Sequence, residues 1–274
     1  MVKELFYSLD LWLAFGASIV FFLLGDEVGF RLGRRNSRSV DEHSRSQIIT
    51  IQGAMLGLLA LLLGFTFSMA MSRFEIRKQQ VLDESNAIGT TYLRAQLLPE
   101  PSRKEVSNLL RQYAAVRLQF YQAGIMGQGF QKAVDQTGRL QVQLWSLASA
   151  WADKDPRAVT AGLFLQSLNE VIDLHARGLT ALQNHVPEII LVLLYFVALV
   201  AIGLIGYGCG LAGRRNFMVT MVTCVLIAAV IVVIIDLDRP QRGLIRVGLE
   251  RMVELRQSLE KADLETGGPI PGQN

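Results

Sequence analysis

The chain has 274 residues, 51% of them hydrophobic, and a formal net charge of +3. That charge is too small to point to nucleic acid, and the basic residues stand beside apolar runs, where lipid head groups explain them. Both cysteines, Cys209 and Cys224, fall inside such runs and read as small buried residues rather than a disulfide or redox pair.

The first apolar run is Phe6–Gly25, with Asp10 as its one charge. Only Lys3 precedes it as a basic start, and no small-x-small cleavage site comes before Gly25-Asp26-Glu27, so it reads as a retained first span. Ile48–Met71 follows, 24 residues without a charge. A bilayer core takes about 20 helical residues to cross. In this second span Gly53, Gly57, Ala60, Gly64 and Ser68 share one helical face. Small residues at that spacing let helix backbones approach, where water cannot drive association. The face serves packing within one subunit, or it is an inter-subunit or pore-lining face. Thr66, with Thr50, Gln52 and Ser68, supplies the span's few polar groups, and Thr66 is counted with the pore-lining candidates.

Ser72–His185 is a middle segment of 114 residues with ordinary soluble composition. No alternating β-branched run appears in it. Helical spacing does: Leu109, Tyr113, Val116 and Phe120 form one stripe, and Phe164, Leu168, Val171, His175, Leu179 and Leu182 another. Breaks are expected at Pro99 and Pro101 (Ser102 as N-cap), at Gly124, Gly127 and Gly129, and at Asp153-Lys154-Asp155-Pro156. About four helices result. The first is expected to continue from the second span as one rod, and the last to feed the third span through Pro187. His175 reads as a packed core histidine.

Ile189–Gly213 and Asn216–Ile235 are charge-free runs of 25 and 20 residues, opened by Glu188 and joined by an Arg214-Arg215 turn. They are read as the third and fourth spans, about 188–213 and 216–235. Gly206-Tyr207-Gly208 matches the tripeptide of potassium filters, but a filter needs a non-helical loop; Gly-rich helix packing is the better reading. Asp236-Leu237-Asp238-Arg239-Pro240 follows, then a C-terminal helix within 236–265 with Ile245, Leu249, Met252 and Leu259 on one side and Arg246 and Glu250 spaced to pair. Residues 266–274 are Gly- and Pro-rich and expected to be disordered.

Four spans put both termini and the middle segment on one side. The short loops carry Arg31, Arg34, Arg35, Arg38, Arg45, Arg214 and Arg215. Counting Lys and Arg in short loops places these loops in the cytoplasm and the helical domain outside. Lys3, Arg73, Arg77, Lys78, Arg239, Arg242 and Arg246, on the domain side, count the other way.

Charged groups at the domain-side boundary are Arg73, Arg77, Glu188, Asp236, Asp238 and Arg239. They are interfacial anchors, or they form a ring of paired carboxylates and guanidinium groups at a pore mouth. Asp236 directly follows Val232-Val233-Ile234-Ile235, where a lone buried carboxylate needs a partner; Arg239, Arg73 or Arg77 is the expected one. No His, Cys or carboxylate spacing matches a metal site, no nucleotide-cradling loop occurs, and no serine sits in a nucleophile elbow. An enzyme, a cofactor and a bound metal are therefore not expected.

The run Gly57–Ser68 with Arg73 and Arg77, the segment Glu84-Ser85-Asn86-Ala87-Ile88-Gly89-Thr90-Thr91-Tyr92-Leu93-Arg94 with Leu97-Leu98-Pro99, and Asp236–Pro240 with Gly243-Leu244-Ile245 together resemble the bacterial bestrophin-like family. The resemblance spans nearly the whole chain. Bestrophins themselves are similar in having four spans, helical soluble parts and pentameric anion channels, and their topology puts the middle domain and termini in the cytoplasm. The acidic calcium-binding run of animal bestrophins is absent here.

The expectation is an all-α polytopic protein of the bacterial inner membrane that forms a homo-oligomer. It conducts inorganic ions, anions ahead of cations, with span two along the path. The rival is a non-conducting membrane scaffold or sensor whose helical domain binds a partner.

Overall fold

The computed structural model describes residues 10–123, 128–154, 158–239 and 243–266. Their helices are α1 (Leu11–Asn36), α2 (Glu42–Ala95), α3 (Ser102–Ala123), α4 (Gln128–Lys154), α5 (Val159–Gln183), α6 (Glu188–Ala212), α7 (Phe217–Asp238) and α8 (Glu250–Thr266). No strand occurs among the described residues. The protein is all-α and polytopic, its spans carried by α1, the first part of α2, α6 and α7. The expected span start at Phe6 and the tail beyond Thr266 lie outside the described residues.

Two compact units form. The first takes the chain to Arg73, then His185–Arg239 and Gly243–Ile245. Its centre is the pairing of α1 with α6. A Cβ at Gly29 would enter the Gly203 carbonyl, one at Gly33 the Tyr207 carbonyl, and one at Gly210 the Phe30 carbonyl. Two backbones thus meet with no side chain between them, the association that works where water supplies no hydrophobic drive. Beside this seam Phe22, fully buried, stacks on Tyr195 at 5.8 Å, and the Tyr195 hydroxyl shares a 2.7 Å hydrogen bond with Ser18 Oγ.

Asp10 caps α1, accepting from the Trp12 amide at 2.9 Å, which accounts for the one charge in the first apolar run. The helix does not stop where that run stops. Asp26 is only 4% exposed and lies against the Gly206 position. Arg215 lies 3.8 Å from Asp26, pairs with Glu27, and sits over the Phe30 ring at 4.9 Å. These partners carry α1 on to Asn36. The connection to α2 is short, and Asp41 caps α2 by accepting from the Ser44 amide at 3.2 Å. Gly213, at φ 65, ends α6 in the left-handed conformation and starts the Arg214-Arg215 turn.

Nothing breaks α2 across its 54 residues, so the second span and the first helix of the middle segment are one helix. From Phe74 it belongs to the second unit, with α3, α4, α5 and α8. Tyr113, Phe120, Phe164 and Leu168 are fully buried at the centre of this unit. The buried face of α3 is Val106, Leu110, Tyr113, Arg117 and Phe120 with Tyr121; Leu109 and Val116, read from the sequence as part of the stripe, flank it half-buried. Gly129 lies inside α4 rather than in a break, and Gly124 and Gly127 are outside the described residues. The C-terminal helix begins only at Glu250, so Ile245, Arg246 and Leu249 precede it, and the spacing of Arg246 to Glu250 is not a helical one. Met252 and Leu259 are buried as expected of that face.

Candidate functional site: the face of the second span and the boundary charges

Gly53, Gly57, Ala60, Gly64 and Ser68 are all exposed, on one side of α2. A Cβ built at Gly53, Gly57 or Gly64 would meet nothing within 4 Å. The tight glycine packing of the subunit lies instead between α1 and α6; Gly206 and Gly210 of the Gly-rich stretch take part in it, against Asp26 and Phe30, and Gly29 and Gly33 of α1 face it. Thr66 does not belong with this face. It is 3% exposed, turned inward, and its hydroxyl donates to the Leu62 carbonyl at 2.7 Å. A helix turns about 100° per residue, so Thr66 stands nearly opposite Gly57 and Gly64. Ser68 and Thr50, eighteen residues apart and so at the same angle, are the exposed hydroxyls of the open face.

The boundary charges part company in the same way. Arg77, 2% exposed and in the helical unit, donates Nε to the Ala181 carbonyl at 3.2 Å and Nη2 to the Asn184 carbonyl at 3.1 Å. It caps the C-terminus of α5, where carbonyls lack helical partners and the helix dipole favours a cation. An exposed mouth charge it is not. Arg73 is half-buried, its Nε without a hydrogen-bond partner among the described residues. Glu188, also half-buried, sits in the first turn of α6, after Pro187 at the N-cap.

Asp236 and Asp238 are buried at 4% and 1% exposure. The expected arginine partner of Asp236 is replaced by main chain. Asp236 accepts from the Leu244 amide at 3.1 Å and the Ile245 amide at 2.9 Å, closing the chain back after the fourth span. Gly243 makes this possible. Its φ is 122, and a Cβ there would strike the Asp236 carboxylate. Asp238 accepts from the Val186 amide at 2.8 Å and has His185 Nδ1 at 3.5 Å from its carboxylate, which fixes the entry to the third span. Arg239, 5% exposed, caps α7, its backbone N–H donating to the Asp236 carbonyl. Asp236-Leu237-Asp238 is thus a double staple of the main chain.

The gap in the sequence reading is the centre of the helical unit. Glu84 on α2 and Arg117 on α3 are both completely buried. Arg117 donates Nε and Nη2 to the two Glu84 oxygens, the latter at 3.0 Å, and the Tyr121 hydroxyl donates to Glu84 Oε2 at 2.6 Å. Arg117 also lies 3.9 Å over the Phe120 ring. Burial works against the Arg117 charge, but the Glu84 carboxylate more than offsets it and holds the guanidinium above its ordinary value. Burial, then the Glu84 charge, pushes the Tyr121 hydroxyl well up. His175, on α5 beside them, is pushed down to about 4 by burial and then by repulsion from Arg117. Gly178 leaves the room: a Cβ there would stand 3.0 Å from the Tyr121 hydroxyl. Tyr113, Arg117 and Tyr121 recur every four residues, and a charge on that apolar phase was the available signal.

No curated protein matches this chain. In fold it is similar to the crystal structure of a bacterial bestrophin homologue from Klebsiella pneumoniae phased by Zn-SAD, at 12% identity and a TM-score of 0.67 over 95% of this chain and 100% of that one. A mutant of the Klebsiella pneumoniae homologue is similar at 14% identity and a TM-score of 0.65, over 92% and 98%. The Bestrophin-like domain model matches residues 17–252. That match runs from within the first span through the other three and the helical unit to the first turn of α8, and the chain belongs to the Bestrophin-like family.

Proposed function

We propose that the chain is one subunit of a homo-oligomeric ion channel, passive in mechanism, with span two along the conduction path. The observation that carries this reading is the open face of α2. Among the described residues, Gly53, Gly57, Ala60, Gly64 and Ser68 meet no partner helix that would need their small size. A row of small residues in a span is expected to meet something, and a second copy or a central path meets the requirement. Membership of the Bestrophin-like family, with a fold shared with bacterial bestrophin homologues, supports the same reading, as does the pentameric assembly of bestrophins. The membrane is the bacterial inner membrane, and the ring of subunits is a pentamer.

Among the candidate boundary charges, Arg77 and Arg239 are buried and Arg73 is half-buried, so Arg73 is the candidate cation to face ions. It favours anions over cations. Ion flux through purified protein in sealed liposomes, chloride and potassium measured separately, tests both points. Selective chloride flux that Arg73→Ala lowers supports the channel and the role of Arg73. Equal flux in wild type and Arg73→Ala removes that role.

One observation favours a non-conducting scaffold or sensor instead. Ser68 and Thr50 are the hydroxyls on the open face once Thr66 has turned inward, and so little polarity suits a dry contact between helices. Well-folded oligomer without flux of either ion selects that reading.

A further inference from the structure

The α1–α6 seam leaves a trough on its outer side. One wall is Phe21, Leu24, Val28 and Leu32 of α1, and the other is Leu199, Leu204 and Tyr207 of α6. The floor is Gly25, Gly29 and Gly203, whose lack of side chains is what makes the surface concave. A second hollow, between Ala14 and Phe21 of α1 and Val192 and Leu199 of α6, shares Phe21 and Leu199 with the first. Their volumes are about 510 and 520 Å³, and nearly all the lining is apolar. Ala14 to Leu32 spans about 27 Å at roughly 1.5 Å per helical residue, close to the roughly 30 Å of a bilayer hydrocarbon core.

The chemistry changes at one end. Leu24, Val28 and Leu32 are followed on the same face of α1 by Arg35 and Asn36. Asn36 Nδ2 donates to the Tyr207 hydroxyl at 3.3 Å, which marks the polar level where the trough ends. Arg35 is exposed and makes no side-chain hydrogen bond or ion pair among the described residues. Arg31 and Arg34 are exposed beside it. Anionic head groups are attracted to such a cluster.

We propose that this trough binds an anionic phospholipid of the surrounding bilayer, one acyl chain lying on the glycine floor and the phosphate at Arg35. Upstanding Phe, Leu and Val walls around a narrow floor accommodate a single flexible hydrocarbon chain. A helix about 10 Å across would need small residues on both surfaces. The site does not depend on whether the protein conducts.

The test uses the purified oligomer in mild detergent, stripped of lipid and mixed with phosphatidylglycerol or phosphatidylcholine, with retained lipid counted by native mass spectrometry. Wild type is expected to retain phosphatidylglycerol in preference to phosphatidylcholine. Arg35→Gln should lower that preference about fivefold, the weight of one surface arginine toward an anionic bilayer, while Arg38→Gln leaves it unchanged. Leu204→Trp, which fills the trough, should remove retention of both lipids. Equal retention of the two lipids by wild type, or an Arg35→Gln protein with wild-type preference, overturns the proposal. So does a photo-crosslinker at Val28 that yields protein dimers instead of lipid adducts, because it puts a second copy in the trough.

Discussion

The Asp238 carboxylate accepts a hydrogen bond from the Val186 amide, 52 residues earlier in the chain, at 2.8 Å. The end of the fourth span therefore holds the start of the third. Asp236, two residues earlier in sequence but bonded elsewhere, holds the chain that follows. Removing the Asp238 carboxylate leaves a buried amide without its charged acceptor, a loss of about 2 kcal/mol. Asp238→Ala is expected to lower the thermal unfolding midpoint in detergent clearly. An unchanged midpoint would mean that the main chain at Val186 is held by something else.

The Glu84–Arg117 pair is fully buried, so its two halves are expected to be non-additive. Glu84→Leu alone strands a guanidinium, and Arg117→Met alone strands a carboxylate; each should cost about 3–5 kcal/mol. The double variant, with neither charge present, should recover most of that loss. Denaturation of the four proteins in a double-mutant cycle checks it. Two single losses that simply add would contradict the account.

His175 gives the helical unit a pH dependence of known sign. Its folded value is pushed down to about 4, below an ordinary value of 6.5. Between those limits the unfolded chain binds the proton and the folded one does not. Stability is therefore highest above 6.5 and falls as pH drops toward 4. Thermal unfolding measured across that window should show the decline in wild type and a flatter profile in His175→Gln. Parallel profiles would assign the acid sensitivity to other groups.

The two sets of glycines should behave oppositely. At Gly206 a Cβ would enter the Asp26 carbonyl and stand 2.8 Å from Asp26 Oδ1, with backbone on the opposing side that has nowhere to move. Gly206→Ala is expected to lower stability by at least about 1–3 kcal/mol. At Gly57 there is open space, so Gly57→Ala should leave the stability of the subunit unchanged. Unfolding curves of the two variants side by side make the comparison. A stable Gly206→Ala variant would show that α1 and α6 do not pack at this distance.

The spans were legible because a charge-free run of the right length has few other fates, and the long α2 was legible because nothing between Met71 and Ala95 breaks a helix. The first helix outlasts the apolar run that marks its span. An apolar count stops at Asp26, but the helix continues because Gly206 and Arg215, remote in sequence, accommodate that carboxylate. Arg77, Asp236 and Asp238 show the same limit from another side. A sequence displays the charge and its depth, while the partners here are amides and carbonyls, which carry no sequence signal. Glu84 and Arg117 lie 33 positions apart, and only the helical fold brings them together. The inward side of Thr66 is legible as well: about 100° per residue already sets it away from the Gly57–Gly64 face.

The most direct test of the channel reading is chloride and potassium flux in sealed liposomes for wild type and Gly64→Phe. Gly64 is exposed in the subunit with nothing within 4 Å of a Cβ, so the substitution should spare the subunit's fold while placing a ring on the open face of span two. Ion-selective flux is expected in wild type and its loss in Gly64→Phe, with the oligomer intact. Wild-type flux undiminished in an intact Gly64→Phe oligomer would show that this face of span two does not line the path.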